Sequence, residues 1–412
     1  MVGWKCIISA ITNMPAPSSP DSRPAPKKAR LSMKASELVR LFKRKKLGPF
    51  IQVPCSMLSS LIRDLSADPD CEVLNPANEA VAMGMAAGTY LATQKIPVVL
   101  MQNSGLCNTL NALTSLHQVY HLPVLFLITW RGMRGAQDAP EHQVMGAKLN
   151  QILRLFNIPY AVLSPKNYRV QVAAMIAKMK KSGMPAALVL RPDVIDKDTG
   201  ERKAGKAPQE KAVPSLTRSE ALGEIFSVWG RRACYVTTNG FISRDAFHAA
   251  GSQPGKPPPV FYMLGSMGHA LPLGLGLSLS RSRGAQTVVI DGDGGALMHL
   301  GAMASVPGTC KGSKKNLLYI VLDNCLYAST GGQPTVSSDV RFRTIAEACG
   351  FRRVFSATGR AALKSVLLKT RKLRGSVFIH ARISEVKNCP SPRVSSRFSC
   401  QTIKQNFMGG LT

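Results

Sequence analysis

Acidic residues are scarce: 23 Asp and Glu stand against 53 Lys and Arg in 412 residues, a formal net charge of +30. Long apolar runs are missing too, the best stretches being 80–88 and 124–128. Neither approaches the roughly 18 residues that a membrane-crossing helix needs, so a membrane-integral protein is excluded. No two of the cysteines at 6, 55, 71, 107, 234, 310, 325, 349, 389 and 400 form a Cys-x-x-Cys pair. They read as reduced thiols of an intracellular protein, neither zinc ligands nor a disulfide framework. The basic runs at 43–46, 178–181 and 371–374 lack interleaved aromatics. They read as solvated faces that attract small anions, with no specific nucleic-acid partner. With 45% hydrophobic residues and a mean hydropathy of +0.02, wholesale disorder is excluded, and the length implies two or three domains with real cores.

Residues 1–32 are proline- and serine-containing, with Asp21 their only acid, and a disordered basic extension is expected there, with Met33 opening the folded unit. The expected location is cytoplasmic, or mitochondrial if the extension is a transit peptide; the cluster 27–30 also matches a weak nuclear signal. From residue 33 helical and β-branched segments alternate. Helices are expected over 35–46, 56–65, 80–93, 106–119, 144–156 and 170–181, with strands over 49–53, 98–101, 124–129 and 186–190. This pattern predicts a mostly parallel α/β sheet covered on both faces, spanning 33–192. Residues 193–214 read as a charged, aperiodic linker. A second alternation predicts a second α/β domain over 215–387, including one helix over 296–306, and residues 388–412 read as a loose tail.

Chemistry is concentrated in the second half. The segment Val288-Val-Ile-Asp-Gly-Asp-Gly-Gly-Ala-Leu-Met298 is a buried strand that breaks into a glycine-rich turn and opens a helix. About thirty residues later a second buried strand ends at Asn324. At the carboxyl edge of a parallel sheet, Asp293 and Asn324 would stand side by side, a carboxylate and an amide oxygen suited to Mg²⁺. Gly292, Gly294 and Gly295 would let backbone N–H groups approach a diphosphate. An EF-hand starting at Asp291 fails because its twelfth position is Ala302, and a P-loop fails for want of Gly-Lys-Ser/Thr. A plain structural turn also accounts for Gly-Asp-Gly taken alone. In the first half, Glu79 is the sole acid at the start of a helix of small apolar residues, where it either satisfies the helix dipole or acts chemically.

Gly292-Asp-Gly294 with Asn324 resembles the diphosphate signature of thiamine-diphosphate enzymes. The stretches Tyr90 to Gly105, Thr129-Trp-Arg-Gly132 with Asp138-Ala-Pro-Glu-His142, and Tyr327-Ala-Ser-Thr-Gly-Gly-Gln-Pro-Thr335 resemble the phosphonopyruvate decarboxylases and, nearly as closely, the sulfopyruvate decarboxylases. This resemblance covers about residues 33–385. It implies two thiamine-diphosphate-binding folds, a pyrimidine domain followed by a diphosphate domain, without the middle domain of larger relatives. It also implies Mg²⁺ held by Asp293, Asn324 and the Leu326 carbonyl. In Gly265-Ser-Met-Gly-His-Ala270, Met267 would be the wedge that bends the cofactor and the Gly265 carbonyl would accept from its amine, although a methionine there is equally a core residue. Glu79 would hydrogen-bond the aminopyrimidine ring nitrogen and promote loss of the thiazolium proton.

The same resemblance places Gln102, Asn103 and Ser104 beside the reaction centre, where capping of the next helix is the alternative reading. Arg131 and Arg134 become candidates for the substrate's anionic group, or else solvated loop arginines. His142 and His269 read as structural histidines. The sequence departs from the resemblance at Cys55, in Val53-Pro-Cys55-Ser56, where phosphonopyruvate decarboxylases usually carry Asp; cysteine there is nearer the sulfopyruvate branch. The implied activity is lysis of a small anionic 2-oxo acid, 3-phosphonopyruvate, to phosphonoacetaldehyde and CO2 in phosphonate biosynthesis. Sulfopyruvate, or cofactor binding without turnover, remain the alternatives. A homodimer or larger even homo-oligomer with sites between subunits is expected.

Overall fold

Two six-stranded parallel sheets are assembled from the valine-, isoleucine- and leucine-rich runs. The computed structural model describes residues 32–196, 216–282, 284–310, 315–384 and 391–411. The expected N-terminal extension up to residue 31 and most of the expected linker lie outside them. The first sheet contains β1 (Phe50–Gln52), β2 (Val73–Leu74), β3 (Val98–Gln102), β4 (Leu125–Thr129), β5 (Tyr160–Val162) and β6 (Ala186–Leu190), in the order β2-β1-β3-β4-β6-β5. Next come β7 (Ala233–Thr237), β8 (Val260–Tyr262), β9 (Gln286–Gly292) and β10 (Asn316–Asp323). A small antiparallel hairpin follows, β11 (Leu326–Tyr327) with β12 (Gln333–Pro334), and then β13 (Arg353–Thr358) and β14 (Ser376–Arg382). The second sheet runs β8-β7-β9-β10-β14-β13, repeating the first sheet's order strand for strand. In each, the winding reverses once, between β1 and β3 and between β7 and β9. Crevices at such reversals, outside the carboxyl ends of the strands, are where open α/β sheets bind ligands.

Both faces of each sheet are buried, which is why the strands read as continuous apolar runs. Along β3, Val98 and Leu100 pack under α1 (Ala35–Arg44), α2 (Ser59–Ala67) and a later helix, while Val99 and Met101 pack oppositely. That opposite layer is α3 (Glu79–Thr93), α4 (Leu106–Ala112) and α5 (Pro140–Leu155); the later helix is α6 (Tyr168–Ser182). In the second domain α7 (Arg218–Trp229) and α8 (Phe241–Gly251) cover the face of Val288 and Ile290. Helices α9 (Ala270–Ser280), α10 (Asp293–Met298), α11 (Ala302–Cys310) and α12 (Phe342–Ala348) lie on the side of Val289 and Tyr319. The sheet is completed by α13 (Arg360–Thr370), which packs beside α7.

Three expectations need correction. The single helix expected over 296–306 is two helices, because His299 leaves helical geometry and a turn through Gly301 restarts the chain as α11. The strands β2 and β5 escape sequence reading because they are two or three half-exposed residues long. The tail expected to be loose instead forms α14 (Cys400–Gly409). Ser399 caps that helix by accepting the Thr402 N–H at 3.0 Å, and Ile403 and Phe407, four residues apart, are buried. Phe407 stacks edge-on against Phe261, and Phe398 against Phe247. Among the described residues no helix is long and apolar enough to cross a membrane.

The closest helix–sheet approach sits at Gly274 of α9, where an added Cβ would lie 2.0 Å from Cγ2 of Val289 on β9. Gly274→Ala is therefore expected to cost about 1–3 kcal/mol through overpacking. A urea melt that shows no loss against the native chain would contradict this packing.

Candidate active site

At the reversal point of the second sheet, β9 ends in Gly292 and turns directly into α10. The glycines are sterically required. A Cβ on Gly294 would lie 2.5 Å from the Tyr327 ring, and one on Gly295 would lie 2.3 Å from Oδ1 of Asp291. Asp291 anchors the turn from below, accepting from the Gly292 N–H at 2.9 Å and the Tyr319 hydroxyl at 3.2 Å. Its complete burial raises its carboxyl to about 6. The turn opens a cleft whose walls include Thr238, Asn239, Met267, Asp293, Asn324 and Leu326. The expected cofactor residues Met267, Gly292, Asp293, Gly294, Gly295, Asn324 and Leu326 thus share one cavity. Gly265 stands outside its lining, against Glu141 of the first domain.

Asp293 is 2% exposed. Burial, then the negative charge of Asp323, raises its carboxyl to about 7 against hydrogen bonds from Thr335 and backbone N–H groups. Asp323 is as deeply buried, but it meets His380 at 2.7 Å and Arg382 at 2.9 Å. Burial pushes its carboxyl upward, and those partners outweigh burial and hold it well below the carboxylate range. Its Oδ1 also accepts the Cys325 N–H at 3.0 Å, bracing a turn in which Cys325 adopts φ +57°. Leu326 faces Pro334 in the hairpin as a non-hydrogen-bonded pair, since the adjacent ladder bond runs from the Thr335 N–H to the Cys325 carbonyl at 2.9 Å, so the ladder makes no claim on the Leu326 carbonyl. A buried carboxylate without a cation, an adjacent amide and an available carbonyl form the donor set of a hard divalent ion. Among the described residues no cluster of three His, Cys, Asp or Glu competes for a metal.

Glu79 lies on the first domain at the start of α3, 5% exposed. Its Oε2 accepts from Asn108 Nδ2 at 2.9 Å. Gly105 gives its carboxyl room, since a Cβ there would lie 2.2 Å from Oε1. The preceding Asn78 does two jobs. Its Oδ1 caps α3 by accepting the Val81 N–H at 2.9 Å, and its Nδ2 donates to the Met298 carbonyl of the second domain at 2.8 Å. Through this bond Glu79 is brought close enough to Tyr327, in the wall of the cleft, for its charge to help raise the phenol, after burial and Asp293.

The reversal point of the first sheet gathers Cys55, just beyond β1, and Gln102, at the end of β3. The buried Cys55 thiol stands 3.5 Å from Gln102 Oε1 and 3.3 Å from Thr129 Oγ1, and burial raises its pKa. Gln102 Nε2 donates to the exposed Ser104 hydroxyl at 2.7 Å and stands 3.4 Å from His142 Nδ1. Asn103 instead points inward, tying β3 to the segment after β4 by donating to the Arg131 carbonyl at 2.8 Å, and does not cap the next helix. Arg131 is not an open fork: Asp138 takes it in a bidentate pair at 2.7 and 2.5 Å. Burial and this arginine hold His142 down at about 4. Arg134 is exposed, and so is His269, whose ring stacks on His299 at 4.5 Å. The described cysteines are all unpaired thiols, as expected. Sequence reading missed Thr335, Asn78 and the His380–Arg382 pair; only Thr335 and Asn78 lay inside motifs already in view.

Comparison with known proteins shows the family. Residues 34–152 match the family model of the thiamine pyrophosphate enzyme N-terminal TPP binding domain, and residues 247–381 match that of the C-terminal TPP binding domain. Phosphonopyruvate decarboxylase of Streptomyces viridochromogenes is 33% identical over 80% of this chain and 83% of its own length. Its counterpart in Streptomyces hygroscopicus is 33% identical over 80% and 82%. Sulfopyruvate decarboxylase of Methanosarcina acetivorans is 26% identical over 87% and 93%. The chain belongs to the thiamine pyrophosphate enzymes, in the group that holds the phosphonopyruvate and sulfopyruvate decarboxylases.

The depressed His142 has a stability consequence. The native state resists a proton that the unfolded chain takes near pH 6.5. Its contribution is complete above pH 6.5, is lost as pH falls toward about 4, and falls no further below that. His142→Gln is therefore expected to flatten the decline in urea midpoint over that interval, and parallel curves for the two proteins would refute it.

Proposed function

We propose that the chain decarboxylates 3-phosphonopyruvate to phosphonoacetaldehyde and CO2, using thiamine diphosphate and Mg²⁺. The observation that carries this reading is the joining of Glu79 to the Asp293 cleft through the Asn78–Met298 bond. Thiamine diphosphate, when bound, supplies the electron sink for the pair released as CO2 departs. Asp293, Asn324 and the Leu326 carbonyl would hold Mg²⁺, with the glycine turn cradling the diphosphate. Glu79, desolvated and fixed by Asn108, would share a proton with the cofactor's ring nitrogen. In the net reaction the bond between C1 and C2 breaks and C2 gains one proton. Cys55, Gln102 and Ser104 would face the substrate from the first sheet, and the +30 charge would steer a polyanion toward it. Assembly as a homodimer or larger even oligomer belongs to this reading, supported by the apolar Val81 and Leu91 left exposed on α3, but the expected placement of the site between subunits does not, because Glu79 and the Asp293 cleft meet within one chain. Sulfopyruvate is the second reading, favoured by the Cys55 thiol.

The test is CO2 release with 3-phosphonopyruvate, sulfopyruvate and pyruvate offered in parallel. Phosphonopyruvate is expected to have the highest kcat/KM; preference for sulfopyruvate would replace it as substrate, and silence on all three despite bound cofactor would leave a binding protein. Glu79→Gln is expected to lower turnover at least about 10²-fold while calorimetry still registers the cofactor. Asp293→Ala is expected to abolish Mg²⁺-dependent cofactor binding itself.

A further inference from the structure

We propose that Cys55, Gln102 and His142 form a directional hydrogen-bond array that holds His142 as the neutral tautomer with its proton on Nε2, and that this N–H is a donor to the substrate's 2-oxo acid group. The array stands on geometry alone, and only its substrate half rests on the decarboxylase reading.

Direction is carried by the Gln102 amide, whose Oε1 accepts the Cys55 S–H at 3.5 Å, while the Thr129 hydroxyl, 3.3 Å from the sulfur, can donate or accept. With Oε1 turned to the thiol, the amide NH2 faces Ser104 Oγ at 2.7 Å and His142 Nδ1 at 3.4 Å. An N–H aimed at Nδ1 requires a lone pair there, so the imidazole proton sits on Nε2. Protonating the ring would set a second N–H against the amide NH2. The array thus opposes the imidazolium independently of burial. The charges around the ring act in both directions: Arg131 and Arg393, from the C-terminal segment, disfavour the cation, while Asp138 and Glu141 favour it.

Nε2 lies on the side of Glu141, 3.9 Å from its Oε1. Glu141 in turn packs on Gly265, two residues before Met267 of the cleft wall, with a Cβ at Gly265 only 3.1 Å from Glu141 Cβ. The Nε2 side of the ring therefore faces Glu141 and, beyond it, the Gly265 loop of the second domain. A neutral imidazole N–H polarises a carbonyl without surrendering its proton, so it would serve the 2-oxo oxygen or carboxylate as an electrophilic donor.

The chain has seven histidines, few enough to assign by substitution. In ¹⁵N-histidine-labelled apoprotein, His142 is expected to show an unprotonated Nδ1 and a protonated Nε2 at pH 7. Cys55→Asp offers only acceptor oxygens to Gln102, which turns the amide and moves the proton to Nδ1, while Cys55→Ser keeps a donor and keeps the tautomer. If Cys55→Asp does not fold, Gln102→Glu makes the same demand at His142. A proton on Nδ1 in the native chain, or an unmoved tautomer in both Cys55→Asp and Gln102→Glu, overturns the array. For the substrate half, His142→Phe is expected to lower kcat/KM about 10²-fold, with partial recovery in His142→Asn, which restores an N–H. Unchanged kcat/KM in His142→Phe overturns that half alone. The spectra need no substrate, so failure of the decarboxylase reading is seen separately.

Discussion

Two buried carboxylates cannot both stay charged at adjacent strand ends unless cations are supplied. Asp293 directly follows β9 as the first residue of α10, and Asp323 ends the neighbouring β10. For Asp323 the compensation belongs to the chain, the Arg382 cation and a hydrogen bond with His380, both on the neighbouring strand β14. For Asp293 only hydroxyl and backbone donors are at hand among the described residues, so burial and the charge of Asp323 raise its carboxyl. The asymmetry organises the rest of the cleft. A fully compensated Asp323 holds the Cys325 turn in its left-handed conformation, and that turn sets Asn324 and Leu326 at the mouth of the cavity.

The repeated strand order allows the two domains to divide the chemistry. Each sheet offers one crevice, at its own reversal of winding. The second sheet fills its crevice with glycines and one unmatched carboxylate, the chemistry of a phosphate-bound cation. The first fills the equivalent place with a thiol, an amide, a hydroxyl and a neutral imidazole. Glu141 brings an acid from that side against Gly265, and Glu79 brings another at a helix start whose cap, Asn78, is itself bonded across to Met298. A capping residue that also crosses between domains couples the position of Glu79 to the end of α10, the helix that begins with Asp293.

The fold was largely legible because its strands are buried on both faces, so short apolar runs between amphipathic helices mark them plainly. The second domain's site was legible for a related reason. Gly294 and Gly295 are demanded by contacts at 2.5 and 2.3 Å, and such close approach admits no other residue, so the motif survives in the letters. The first domain's site was less so. Asn103 reads as a reaction-centre group or helix cap and Arg131 as an anion-binding or solvated arginine, yet one ties β3 to the segment after β4 and the other is paired with Asp138, a partner seven residues away whose geometry no spacing rule discloses. His142 looked structural because one imidazole on a helix is ordinary. Its meaning lies in Gln102 and Cys55, distant in sequence and joined only by the parallel register of β1 and β3.

The shortage of acids acquires a structural sense from where the acids are placed. Arg131–Asp138, Arg218–Asp245 and Asp323 with His380 and Arg382 put carboxylates at buried or half-buried positions, where an unpaired arginine would be costly. Exposed cations such as Arg134 have less need of partners, because water and salt solvate them. A chain with few carboxylates, several of them paired inside, leaves its surface positive by default. The resulting field favours polyanionic ligands over long range, while recognition at close range falls to hydrogen-bond direction, since at the reversal point of the first sheet the nearest arginine is already neutralised.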